Sequence, residues 1–163
     1  ESKPYKERQQ NPYLSFMTNN FMVKRTVLSS IPFDERLTKY GHEDTLFGHY
    51  LKQHSMEISH IENPVLNGDI EENEEYLRKT KLAIENLVVI LKTIPDKDNF
   101  IEDVKLLSFY YRLRRLGGVK LVYFISPILN NLFLLLLAKG KVSLFLFNIY
   151  KLNYLHFTIN KKG

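Results

Sequence analysis

The 60 residues from 104 onward contain ten Lys/Arg and no Asp or Glu, and within them residues 121–138, LVYFISPILNNLFLLLLA, run 18 positions without a charge. Aliphatic helices edged only by cations need either an anionic surface of low polarity or other protein to cover them. Residues 1–103 have the opposite balance, with 13 Lys/Arg against 18 Asp/Glu, so the overall net charge of +5 belongs to the tail. The tail's cations are scattered among aliphatic runs rather than clustered with exposed aromatic residues, which argues against nucleic acid as the partner.

Eighteen residues approach the about 20 needed to cross a bilayer. Pro127 and Asn130-Asn131 interrupt the run near its middle, where unpaired amides in hydrocarbon are costly. After Lys139-Gly140-Lys141 a second apolar stretch covers 142–157, broken by Asn148, Lys151 and Asn153. The pattern predicts a helical hairpin lying in, or dipping into, the membrane interface. Lys105, Arg112, Arg114 and Arg115 would face anionic headgroups, at about 1 kcal/mol each. Packing of the same hairpin on other protein is the alternative that the residues leave open.

Ahead of the tail, the polar opening 1–12 holds two prolines and lacks apolar periodicity, which predicts loop or linker. Residues 13–23, YLSFMTNNFMV, read as a strand or a strand interrupted by a turn, 25–30 as a short helix stopped at Ile31-Pro32, and 33–35 as a turn. Leu46, Phe47, Tyr50 and Leu51 form one stripe of a helix over 44–53, and MEISHI at 56–61 alternates as a half-buried strand. A longer helix over 72–93 carries the stripe Tyr76, Leu77, Ala83, Ile84, Leu87, Val88 and Leu91, with Glu74-Arg78 and Glu75-Lys79 spaced as helical ion pairs. A third helix is expected over 100–116, ending at Gly117-Gly118. The sequence has no cysteine, so no disulfide framework or thiolate metal site is available. It opens on Glu1 with no secretory leader, and reads as a portion of a longer protein.

The acidic pair Glu43-Asp44 follows Tyr40-Gly41-His42 and opens the helix over 44–53. Two readings stand side by side. Asp44 could cap free backbone amides, for roughly 1 kcal/mol. Alternatively, a carboxylate held at a helix start by a glycine-hinged loop keeps one oxygen free, and so can act as a general base on a substrate hydroxyl. His42 and His49 are seven residues apart across a turn and a helix, a spacing that fits solvated or packed histidines better than metal ligands.

Thr18-Asn19-Asn20-Phe21, Lys24-Arg25, Phe33-Asp34-Glu35, Tyr40-Gly41-His42-Glu43-Asp44 and Asn63-Pro64-Val65, in that order over residues 12–87, resemble the C-terminal half of the catalytic domain of family 2 glycosyltransferases. These are A-type, inverting enzymes that bacteria use to build surface polysaccharides. The resemblance implies an α/β, Rossmann-like fold with few strands: an acceptor-side half over 1–95, then a mainly helical, membrane-associated tail over 96–163. It makes Asp44 the catalytic base and gives Glu43, Asn19 and Asn20 contacts to acceptor or donor sugar, with Lys24 and Arg25 as weak candidates for phosphate.

The implied partners are a nucleotide-sugar donor, a glycan or lipid-linked acceptor, and an anionic membrane surface. The implied location is cytoplasmic, peripheral on the inner face of the plasma membrane. Family members also use Mn or Mg to steady the departing nucleoside diphosphate, held by an Asp-x-Asp motif that this sequence lacks. The ligands would lie mostly in a nucleotide-binding half upstream. Many relatives have a histidine where this chain has Asn67, and His60 is offset, so the metal ligands stay unassigned. A non-catalytic membrane adaptor and a degenerate transferase are the rival readings.

Overall fold

The structure, a computed structural model, describes residues 3–65, 68, 71–141 and 143–161. In chain order its helices are α1 (Tyr5–Gln10), α2 (Arg25–Ser30), α3 (Glu43–Gln53), α4 (Asn73–Thr93), α5 (Lys97–Asp103), α6 (Lys105–Arg115), α7 (Gly118–Ala138) and α8 (Leu144–Asn160). Among the described residues there is no strand, so the expected α/β, Rossmann-like class is wrong for this chain, which is all-helical.

The two expected strands fail for a physical reason. An extended segment becomes a strand only when a neighbour takes its backbone groups, and none is present among the described residues. Residues 13–23 form turns and irregular backbone, and 56–61 have no regular structure and are tied by side chains of α1. Gln9 donates to the Ile58 carbonyl at 3.1 Å and accepts from the His60 N–H at 2.7 Å, while Arg8 donates to the Ile61 carbonyl at 2.8 Å. The helix α1 forms where loop was expected, and it is what pins this segment.

The central helix α4 buries Ile84, Leu87, Val88 and Leu91 of the expected stripe, together with Ile90 and Asn86, while Tyr76 at its start is exposed and Leu77 and Ala83 are half-buried. These side chains share one core with Leu46 of α3, Phe100 of α5, Leu107 and Tyr110 of α6, Val119 of α7, and Leu152 and Leu155 of α8. The core therefore runs continuously through both sides of residue 95. A second cluster on the other face of α3 joins Phe47 and Leu51 to Ile31, Phe16 and Phe33, with the Phe33 and Phe47 rings stacked at 4.4 Å. On the surface of α4, Arg78 pairs with Glu75 and Lys79 with Glu71, in place of the expected partners.

The expected third helix is two. Val104 leaves helical backbone at φ −101°, ψ 107°, and Asp103 just before it receives Lys52 at 2.7 Å and contacts His49 Nδ1 at 3.2 Å. The break turns α5 toward α3, while α6 packs against α7 and α8.

Helix α7, 21 residues and thus about 31 Å long, forms a hairpin with α8 across the turn at Gly140, where φ is +70°. Phe133 meets Tyr150 at 5.4 Å along the seam, and α8 in turn lies on α4. Pro127 has no N–H to give the Tyr123 carbonyl, and the Ser126 hydroxyl supplies the missing donor at 2.8 Å. By length and composition α7 is apolar enough to cross a membrane. Its outer stripe, Leu121, Phe124, Ile125, Ile128, Leu132 and Leu135, is exposed, Phe124 at 81% and Ile128 at 74%. The inner face of the hairpin thus packs on the protein, and the outer face of α7 is left bare.

Candidate functional site

Around the acidic pair the chain turns sharply before α3. Gly41 takes φ +94° and His42 φ +69°, two successive left-handed residues. A side chain at Gly41 would also place its Cβ 2.7 Å from Ala83 Cβ, so glycine is needed there both for backbone and for space. Asn86, 1% exposed, holds the turn from α4: its amide nitrogen donates to the Lys39 carbonyl at 2.7 Å and to the Gly41 carbonyl at 2.8 Å. The adjacent Glu85 pairs with Lys39 and accepts from the Tyr154 hydroxyl at 2.6 Å. Lys39 first and Tyr154 second hold the Glu85 carboxyl below the usual carboxylate range.

This clamp sets the direction of α3. His42, not Asp44, occupies the N-cap position, and Glu43 and Asp44 form the first turn, where the helix dipole favours negative charge. Burial lowers the His42 imidazole to about 4, with the Glu43 charge acting weakly the other way, so the ring is neutral at pH 7. Its Nδ1 lies 3.2 Å from Thr45 Oγ1. Asp44 Oδ1 accepts from the Thr45 N–H at 2.7 Å and lies 3.3 Å from the Thr45 hydroxyl. Oδ2 has no hydrogen-bond partner among the described residues. Asp44 is therefore half-engaged: one oxygen accepts from the next residue's N–H without capping the helix, and the other is unclaimed. Glu43 is exposed.

The remaining sequence-derived candidates lie apart from this pair. Asn20 donates to the Asn63 carbonyl at 2.9 Å, joining two of the quoted segments, while Asn19 is exposed. Lys24 and Arg25 are exposed at the start of α2. Asn67 lies outside the described residues. His49 is buried against Phe100 and beside Asp103, a packed residue. Among the described residues no group of three or more His, Asp or Glu is placed to hold a metal ion, and the resemblance puts those ligands mostly elsewhere.

A cleft of about 680 Å³ opens between α2 and α3, with the Phe33-Asp34-Glu35 turn on its wall. There Arg36 grips Asp34 through Nε at 2.8 Å and Nη2 at 2.6 Å, which holds the Asp34 carboxyl below its ordinary value. Tyr50, on the inner side of α3, is shared by this cleft and the core cluster around Phe47.

Asn86 is the residue that sequence reasoning misses. Its one signal is a polar side chain amid IENLVVI, on a helix whose apolar period predicts burial, and a buried amide must find partners. The sequence does not say that those partners are the carbonyls of the hinge 45 residues upstream. No protein-family model, curated protein or solved structure matches the chain.

Proposed function

We propose that the chain is the acceptor-side part of a membrane-associated, inverting sugar transferase, with Asp44 as general base and Glu43 as a hydrogen-bonding partner of the acceptor. One observation carries this reading beyond the resemblance: the hinge clamped by Asn86 presents a carboxylate whose Oδ2 is unclaimed, beside a second, exposed carboxylate. In the single displacement, the acceptor hydroxyl gives its proton to Asp44 Oδ2 as its oxygen bonds to the anomeric carbon. The nucleoside diphosphate leaves from the opposite face with the bonding electron pair. The neutral His42 beside the pair adds no competing cation. The described residues form no nucleotide-binding sheet, so the donor cradle belongs to another part of the protein or to a partner.

The test is transfer from a labelled nucleotide sugar by the full-length protein. Asp44→Asn should lower kcat by at least about 100-fold with donor KM little changed. Glu43→Gln should mainly raise the acceptor KM. Near-normal kcat in Asp44→Asn contradicts the assignment. The adaptor reading draws support from the bare outer stripe of α7 alone; under it, neither substitution alters anything beyond local stability.

A further inference from the structure

The apolar α7–α8 hairpin holds a polar notch. Ser126 and Asn130 of α7 and Asn153 and Tyr154 of α8 line a cleft of about 550 Å³ whose mouth is flanked by Phe124 and Phe157. Asn130 Oδ1 and Asn153 Oδ1 are buried and have no hydrogen-bond partner among the described residues. Buried polar atoms are paired in the great majority of cases, so two unpaired oxygens beside one cleft mark a need for donors. The Tyr154 hydroxyl gives its hydrogen to Glu85, which leaves its oxygen able only to accept. The lining is thus polar, each asparagine amide bringing an acceptor and two N–H donors. No charged side chain lines it, and the flanking rings are exposed, Phe157 at 53%.

A phosphate or carboxylate finds no cation in such a site, and a purely apolar chain leaves the amides unpaired. A group bearing several O–H donors on an apolar chain satisfies both parts, and hydroxyls pair with an asparagine amide in either orientation. The exposed stripe of Leu121, Phe124 and Ile128 continues from the mouth of the cleft and offers the chain a path. We infer that the cleft seats the hydroxyl-bearing head of a neutral amphiphile, a sugar or polyol headgroup whose apolar chain lies along α7. The inference rests on the membrane-facing part of the proposed function and is independent of Asp44. Tyr154, Glu85 and Lys39 link the cleft to the hinge ahead of the acidic pair.

The test follows the side-chain amide signals of Asn130 and Asn153 by NMR, with each of three probes below any micelle concentration: octyl glucoside, octyl phosphocholine and free glucose. Octyl glucoside should bind saturably and at least about tenfold more tightly than octyl phosphocholine, whose head has no O–H, and glucose should cause no saturable shift. Followed by the backbone amide signals of α7 and α8 lining the cleft, Asn130→Leu/Asn153→Leu should abolish the preference between the two detergents. Equal affinity for both detergents, glucose binding as tightly as the glucoside, or a preference that survives the double substitution overturns the inference. The wild-type comparison decides it even where the double variant does not fold. Detergent monomers need no bilayer, so failure of the protein to float with vesicles counts separately, against the membrane reading.

Discussion

With both amide hydrogens of Asn86 given to the Lys39 and Gly41 carbonyls, removing that side chain leaves two acceptors near the core unpaired. Asn86→Leu, similar in volume, should cost about 2 kcal/mol, read as a lower urea midpoint at unchanged slope. Gly41→Ala should cost about as much or more, through its positive φ and its contact with Ala83. Adding Ala83→Gly should recover the steric share and not the backbone share, a coupling that a double-mutant cycle measures. His42 makes the hinge sensitive to acid. Its pKa falls from an ordinary 6.5 to about 4 on folding, so the unfolded chain binds more protons between these values. Stability is therefore full above pH 6.5 and falls by up to ~3 kcal/mol as pH drops to 4. Urea unfolding at pH 7 and pH 4.5 should show the loss, and His42→Gln should reduce it, leaving the part due to His156, whose pKa burial also lowers. The sequence displays Gly41 and the acidic pair openly; the clamp that orients them is hidden, because a single amide inside an apolar helix does not announce a distant partner.

At the scale of elements, helical period is legible and strand alternation misleads. The helices expected over 44–53 and 72–93 form within a residue or so of their expected bounds, since a stripe such as Ile84, Leu87, Val88 and Leu91 buries itself in only one way. MEISHI alternates well enough for a strand, yet alternation describes one face and cannot supply a pairing neighbour, and Gln9 and Arg8 take the backbone groups instead. The break at Val104 is equally silent in sequence, since it depends on Asp103 meeting Lys52 and His49 from α3. Asp103→Ala leaves buried His49 with neither ring nitrogen hydrogen-bonded and should cost about 2–3 kcal/mol. Asp103→Asn, which keeps one acceptor oxygen for Lys52 and turns its NH2 toward His49 Nδ1, should recover part of that loss in the same unfolding assay.

For the molecule as a whole, the acidic residues 1–103 carry the hinge and its carboxylates, and the cationic residues 104–163 carry the bare stripe of α7. The two are joined through a shared core rather than a linker. Flotation with vesicles should therefore depend on the stripe: Phe124→Glu/Ile128→Glu should lower partitioning by roughly 100-fold, and raising salt should weaken binding less than that. The central claim, that the clamped carboxylate removes the acceptor's proton, is met most directly by measuring turnover and vesicle binding on one preparation of full-length Asp44→Asn. The account predicts a protein that floats like the wild type and transfers at no more than about 1% of its rate. A variant that floats equally well and transfers within about threefold of the wild type contradicts it.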